Sequence, residues 1–153
     1  MEHVWTVFCR RTIIDSETGQ IGIIDCIDDL SIAPRAGQKK AFTMDCVVAT
    51  LWARSDVTKP ERGRFRVRLL TPSGISLGEQ QIYPLDLEQN RWLRTRMALP
   101  GLPIDGAGRY VFVTELEEED GGWRSVARTP YELEIQPREE TPTEVPRKKS
   151  RHK

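Results

Sequence analysis

A chain of 153 residues has the length of one domain and can bury an ordinary core without disulfides or metals as staples. Hydrophobic residues make up 38% and charged residues 30%, a balance that excludes a disordered chain. Basic and acidic residues both number 23, so the protein has no net charge. This excludes an overall positive potential that would attract nucleic acid or an anionic membrane.

Strand-like patterns begin near the start of the chain. Residues 4–9 are rich in β-branched and aromatic side chains, and residues 21–32 are predicted to form a second strand. A third strand is predicted from 42 to 54. Its apolar content indicates a central strand that is buried on both faces.

The second half of the chain alternates more clearly. Residues 64–69 alternate arginine with apolar side chains, as a strand with one wetted and one buried face requires. Residues 75–83 follow a Pro-Ser-Gly turn and are predicted to be the hairpin partner of that strand. Further strands are predicted at residues 91–99, 108–117 and 123–135.

These segments amount to about eight short strands with turn signals between them and no convincing helix. The pattern predicts an all-β fold, an antiparallel two-sheet sandwich of the immunoglobulin-like type, over residues 1–136. Residues 137–153 carry six basic and three acidic side chains, against 17 and 20 in the rest of the chain. This charged tail is predicted to be disordered. Its role is either that of a solubilising terminus or that of a binding segment for nucleic acid or an acidic protein.

The cysteines and the N-terminal residues bear on the cellular compartment. Cys9, Cys26 and Cys46 are odd in number and lie in predicted strands, which favours buried, reduced thiols that serve in packing. No signal-peptide pattern precedes the first strand, and no stretch approaches the ~18 apolar residues of a membrane span. We therefore expect a cytoplasmic protein without a membrane partner.

Residues 102–113 resemble the entry to the penultimate strand of immunoglobulin-like sandwiches. Gly108 stands two residues before Tyr110, and in those domains the tyrosine hydroxyl bonds back to the backbone at the strand corner. Phe112 stands where immunoglobulin domains carry their second cysteine. The resemblance therefore implies the sandwich without its disulfide.

Four short motifs run through the chain: Phe8-Cys9, Gly22-Ile23, Pro72-Ser73-Gly74 and the stretch from Gly108 to Phe112. In this order, over most of residues 4–135, they are similar to a family of small bacterial β-sandwich (immunoglobulin-like) proteins of unknown function. Membership would imply the sandwich and a bacterial source, and it implies no activity.

Candidates for catalysis and metal binding are few. His3 and His152 lie at the ends of the chain, where a rigid general base would be hard to hold. No nucleophile-elbow, metalloprotease, Cys-x-x-Cys or phosphate-loop motif is present. The acidic stretches 25–29 and 115–120 offer oxygen ligands for calcium, but the second is more simply explained as a solvated hairpin tip. We therefore expect no catalytic residue, no cofactor and no metal.

The best candidate for a binding surface is rich in arginine. Alternation directs six side chains outward on two predicted strands: Arg64, Arg66 and Arg68 on one, and Trp92, Arg94 and Arg96 on the other. On one shared face they would bind an acidic protein or, as the alternative ligand, a polyanion. The competing interpretation is that the outward arginines pair with glutamates on neighbouring strands.

These expectations favour a non-enzymatic binding or adaptor module of the bacterial cytoplasm that contacts a macromolecular partner, most simply a protein. A phage-related structural or assembly protein is one alternative. An enzyme whose catalytic residues the sequence does not reveal is the other.

Overall fold

The structure is a computed structural model that describes residues 1–33, 41–42, 44–78 and 80–136. The predicted tail, 137–153, lies outside the described residues. Within them no helix is present, and so none is long and apolar enough to span a membrane. The strands in chain order are β1 (Glu2–Ile14), β2 (Ile21–Cys26), β3 (Asp29–Ile32), β4 (Ala41–Phe42), β5 (Cys46–Ala53), β6 (Arg62–Leu70), β7 (Ser76–Leu77), β8 (Ile82–Asp86), β9 (Trp92–Leu99), β10 (Leu102–Pro103), β11 (Gly108–Glu117) and β12 (Trp123–Ile135).

These strands form two main sheets that pack face to face. The four-stranded sheet has the order β2-β1-β5-β9, and the six-stranded sheet has the order β3-β12-β11-β6-β7, with β8 also paired to β6. β4 and β10 form a separate two-stranded ladder. Every ladder is antiparallel except that of β3 with β12, which is parallel. The predicted all-β, two-sheet sandwich is confirmed.

The segment 21–32, predicted as one strand, is two strands in different sheets. β2 pairs with β1, whereas β3 pairs with β12. Asp25 has a φ of 54°, a left-handed conformation that a regular strand avoids, and the chain then crosses to the other sheet. Leu30 and Ile32 are buried in the core, whereas Cys26 is exposed, and Asp28 places a charged residue where the apolar alternation is interrupted.

Two other predicted strands are also divided. The third becomes β4 and β5, and the hairpin partner of β6 becomes the short strands β7 and β8. β5 is central, as predicted, because it lies between β1 and β9 and seven of its eight residues are buried. β6, β9, β11 and β12 agree with their predicted bounds to within two residues.

The core between the sheets is aromatic. Phe8 of β1 packs against Phe112 of β11 with ring centroids 4.8 Å apart, and against Tyr131 of β12 at 4.9 Å. Trp52 of β5 packs against Phe65 of β6 at 5.1 Å. Large buried rings remove much apolar area from water, so these pairs hold the two sheets together. Phe112 thus links the sheets by packing, at the position where an immunoglobulin domain has a cysteine.

Tyr110 forms the corner that its resemblance implied. Its hydroxyl donates to the carbonyl oxygen of Gly106 at 2.8 Å and accepts from the backbone amide of Asp105 at 2.7 Å. Gly108 has a φ of 128°, and a Cβ there would lie 3.1 Å from the side chain of Pro72. The position therefore requires glycine for both its conformation and its space.

Candidate functional site

The two sets of residues predicted to form the arginine-rich surface lie on opposite sides of the sandwich. Arg64, Arg66 and Arg68 belong to β6, in the six-stranded sheet, whereas β9 carries Trp92, Arg94 and Arg96 at an edge of the four-stranded sheet. The prediction that these six residues share one face is therefore wrong. Alternation shows that a side chain points outward but not to which sheet its strand belongs.

The β6 arginines are occupied by carboxylates of the neighbouring strand β11. Glu115 is only 5% exposed and accepts from the Arg66 Nε at 2.6 Å and from the Arg68 Nη2 at 2.6 Å. Glu117 pairs with Arg64 through two guanidinium nitrogens. On this strand the interpretation of cross-strand pairing with glutamate is therefore correct.

Two further contacts hold Arg66 in place. Its guanidinium carbon lies 4.3 Å from the centroid of the Trp123 ring, and its Nη1 donates to the Gln80 Oε1 at 2.7 Å. A cation over an indole face gains about 0.5–1 kcal/mol or more. Arg66 is thus engaged on several sides and has little capacity left for a ligand.

The environment of Glu115 shifts its pKa. Burial raises the pKa of this carboxyl, but hydrogen bonds from Arg68 and Arg66, together with their positive charges, more than offset burial and lower the pKa below its usual value. Glu115 is therefore an ionised carboxylate near neutral pH, and it neutralises the arginines that alternation directs outward.

The β9 triplet has the opposite character. Trp92 is 54% exposed, and Arg94 and Arg96 are exposed as well. Across residues 1–33, 44–78 and 80–136, neither arginine has a carboxylate within salt-bridge distance. Both guanidiniums therefore keep their hydrogen-bond donors available to a partner.

The strand register sets these arginines beside apolar residues. Arg94 is opposite Leu51, which is opposite Trp5, and Arg96 is opposite Ala49, which is opposite Val7. Directly opposite residues of an antiparallel pair share a face. We call this outer surface of β1, β5 and β9 the arginine face, with the members Trp5, Val7, Ala49, Leu51, Trp92, Arg94 and Arg96.

One end of the arginine face is concave and basic. A depression of about 280 Å³ is lined by Arg10, Arg11 and Arg96, with Asp45 as its only carboxylate among the described residues. The hydroxyl oxygen of Thr12, also in its lining, is buried and has no hydrogen-bond partner in the described part of the chain. Three guanidiniums around one depression favour an anionic ligand.

Arg10 and Arg11 were not among the residues that sequence reasoning selected. They lie at the far end of β1, and their closeness to Arg96 depends on the order β1-β5-β9. The adjacent pair of arginines in the sequence was the one available signal. It carries no information about which strand lies nearby.

A second cavity opens between the edges of the two sheets. Its volume is about 250 Å³, and its walls are mostly apolar. Met97 and Leu99 of β9 line it on one side, and Leu69, Leu77 and Tyr83 line it from the six-stranded sheet. Burial raises the pKa of the Tyr83 phenol, whose hydroxyl donates to the Gln81 Oε1 at 2.6 Å.

His3 is held more firmly than its place near the chain end suggested, and that expectation is wrong. Its ring lies edge-on to Trp52 with centroids 5.1 Å apart, and its Nε2 is 2.8 Å from the hydroxyl of Thr6. Burial lowers the pKa of His3. It lines a depression with Ser55 and Ser125, but no hydrogen bond joins its ring to either serine.

Metal ligands and thiols offer no site among the described residues. No group of three histidine, cysteine, aspartate or glutamate side chains is arranged there to hold a metal ion. Cys9 is opposite Cys26 on neighbouring strands, and both are free thiols, as is Cys46. Cys9 and Cys46 are buried as predicted, but Cys26 is exposed, so the prediction of burial is wrong for that residue. Burial raises the pKa of Cys9 and raises that of Cys46 to about 11. Neither buried thiol is activated as a nucleophile.

Comparison with known proteins adds no family to this description. No family model matches the chain, and no curated protein is similar to it in sequence. The fold defines the class, an all-β two-sheet sandwich, and the resemblance to small bacterial proteins of this type stays a prediction.

Proposed function

We propose that this protein is a non-enzymatic binding module whose arginine face contacts an acidic region of a macromolecular partner, most simply another protein. The observation that carries the proposal is that the strand arginines of the four-stranded sheet lack ion-pair partners among the described residues. Arg10, Arg11, Arg94 and Arg96 of the four-stranded sheet have no carboxylate partner among the described residues. The bacterial cytoplasm is the compartment we propose, in line with the free thiols of all three cysteines.

The chemistry of the face suits carboxylates. Each guanidinium offers a planar set of donors that matches a carboxylate in two parallel hydrogen bonds. Arg94 and Arg96 share their strand face with Trp92, which is 54% exposed, so that a partner covering them would also cover apolar surface. Exclusion of water around a charge pair strengthens the pair.

The magnitudes indicate that charge is not the main source of affinity. Exposed ion pairs contribute about 0–1 kcal/mol each. A buried aliphatic or aromatic side chain contributes about 1.5–3 kcal/mol. The exposed indole of Trp92 therefore supplies much of the free energy, and the arginines supply specificity and faster association.

A nucleic acid is the less favoured ligand for this surface. The chain has no net charge, and the arginine face together with the depression at its end offers four arginines rather than a long basic track. A steep loss of binding with added salt, combined with equal binding of unrelated nucleic acids, would favour a polyanion over an acidic protein.

Affinity capture with matched variants tests the proposal. The wild-type protein, the double variant Arg94→Glu/Arg96→Glu and the control Arg128→Glu are used as baits in cytoplasmic extract, and bound proteins are identified by mass spectrometry. Arg128 is an exposed strand arginine of the six-stranded sheet and likewise has no carboxylate partner among the described residues.

We expect a protein that binds the wild-type and Arg128→Glu baits and is lost from the double variant. Equal recovery by all three baits would contradict the proposal. Ordered assembly of the purified protein at high concentration, without a partner, would instead favour the phage-related structural alternative.

A further inference from the structure

We infer that the acidic partner binds as an extended strand added to the free edge of β9, with alternate side chains entering the cavity between the sheets. The inference rests on the proposed function, and it adds the mode of binding and a sequence rule for the partner. That rule is an alternation of acidic and apolar residues.

β9 has a free edge. β9 pairs with β5 on one side, and no described strand pairs with its other side. Its eight residues run in continuous register with β5, from the pair Cys46 and Leu99 to the pair Ala53 and Trp92. Along such an edge, about half of the backbone N–H and C=O groups point away from the sheet and can pair with another chain.

The apolar cavity lies beside this free edge. An added strand continues the alternation of the sheet, so that every second side chain points toward the facing sheet. Beyond β9 that direction leads to the cavity of about 250 Å³ lined by Met97, Leu99 and, from the opposite sheet, Leu77. An apolar cavity of about 150 Å³ holds a benzene-sized group. A leucine or phenylalanine side chain therefore fits.

The outer face of β9 carries positive charge. The remaining side chains of an added strand would point outward and stand beside Trp92, Arg94 and Arg96. Opposite charges on neighbouring strands stabilise the pairing. Glutamate or aspartate is thus favoured at outward positions, and apolar residues are favoured at the positions between them.

The same geometry argues against a second copy of this chain as the occupant. Two β9 edges paired in antiparallel fashion would place Arg94 and Arg96 of both copies on one face. Like charges directly opposite one another are destabilising, and charged edge strands are a known protection against such pairing.

The probe is a fluorescent synthetic peptide with the length of β9, eight residues, in which glutamate and leucine alternate. A control peptide of equal composition has its glutamates and leucines in adjacent pairs. Fluorescence anisotropy should show that the alternating peptide binds about tenfold tighter or better, since only it directs leucines to the cavity and glutamates to the arginines together. Equal affinity for the two peptides would overturn the inference.

Backbone methylation tests strand addition without altering the protein. Two versions of the alternating peptide carry N-methyl groups on the odd or on the even amides. In an added strand only one of these sets points toward β9. We expect one version to lose binding and the other to retain most of it. Equal effects of the two versions would contradict strand addition.

Variants of the protein locate the cavity contact. Leu77→Trp places a larger side chain in the cavity and should weaken binding of the alternating peptide about tenfold. Ile75→Trp is the matched control, because Ile75 lies outside the cavity lining and is 59% exposed. Thermal unfolding of each variant verifies that the fold is retained.

The outcomes separate this inference from the proposed function. If both peptides bind equally and both are weakened by Arg94→Glu/Arg96→Glu, the arginine face binds acidic chains but not by strand addition. If neither peptide binds at millimolar concentration, or if the double variant has no effect on peptide binding, strand addition at β9 fails, whereas the proposed function is decided by the capture experiment.

Discussion

The six-stranded sheet carries seven arginines on its strands, and six of them have carboxylate partners, whereas the four arginines on strands of the four-stranded sheet have none among the described residues. The local pattern is the same on β6 and β9, with arginine at every second position. The neighbouring strand makes the difference. β11 places Glu115 and Glu117 beside β6, while β5 beside β9 has no charged residue.

The role of an outward arginine therefore depends on the residues of the neighbouring strand and not on the pattern along its own strand. On β6, Arg66 and Arg68 complete the fold, because the buried carboxylate of Glu115 needs a partner. On the four-stranded sheet arginine leaves the fold nearly unaffected and remains available for a partner. The variants below test this contrast.

The largest effect should follow removal of the buried carboxylate. Glu115→Ala leaves Arg66 and Arg68, with side chains 19% and 26% exposed, without their partner. We expect the free energy of unfolding to fall by about 3 kcal/mol, the lower end for breaking a buried ion pair, since both guanidiniums still contact water. Denaturant titration measures the loss.

The control for this variant is Glu132→Ala. Glu132 pairs with Arg109, and both side chains are exposed, at 42% and 69%. Removing an exposed pair should cost at most about 1 kcal/mol. Equal losses for the two variants would show that burial of Glu115 has no special role in stability.

A smaller effect is expected from acid. Because the pKa of Glu115 is lowered in the folded protein, its contribution is fully present above its unfolded value of 4.5. That contribution is lost as the pH falls through the lower, folded pKa. The wild-type protein should therefore lose more stability between neutral and acidic pH than Glu115→Gln. Parallel pH curves for the two proteins would contradict this linkage.

On the arginine face the same type of change should hardly affect stability. Arg94→Glu and Trp92→Ala replace exposed side chains without described ion-pair partners. We expect each to change the free energy of unfolding by less than about 0.5 kcal/mol. Arg66→Glu, which sets a second carboxylate beside Glu115, should cost about 2 kcal/mol or more. If Trp92→Ala unfolds the protein, the arginine face is part of the core and not a surface.

The smallest effect is expected from alkylation of Cys26. This thiol is exposed at the β2 edge, whereas Cys9 and Cys46 are buried and have raised pKa values. Iodoacetamide should modify Cys26 in the folded protein and the other two only after unfolding, with a change in stability below about 0.5 kcal/mol. Thiol titration of the unfolded, unreduced protein should find all three thiols. Finding one would indicate a disulfide.

Sequence patterns were sufficient for the fold class and for the strands with strict alternation, such as β6 and β9. They were also sufficient for the tyrosine corner, because Gly108 and Tyr110 form a local motif. They did not place the crossing between β2 and β3. The one local signal there is Asp28, a charged residue that interrupts the apolar alternation, and a single interruption does not tell which sheet the chain enters next.

The candidate site was predicted only in part for a related reason. Arg94, Arg96 and Trp92 were selected because their own strand directs them outward. Their separation from the β6 arginines and their closeness to Arg10 and Arg11 depend on strand order, which arises from long-range pairing. Local spacing contains no information on such pairing.

A titration of ¹⁵N-labelled protein with the alternating acidic peptide, followed by two-dimensional NMR, tests most directly whether β9 is the binding edge. We expect shifts in the backbone amides of β9 and in the side-chain Nε signals of Arg94 and Arg96. The Nε signals of Arg64, Arg66 and Arg68 should not move, because their carboxylate partners remain in place. Shifts centred on β6 and β11, with β9 unchanged, would show that the arginine face is not the binding surface.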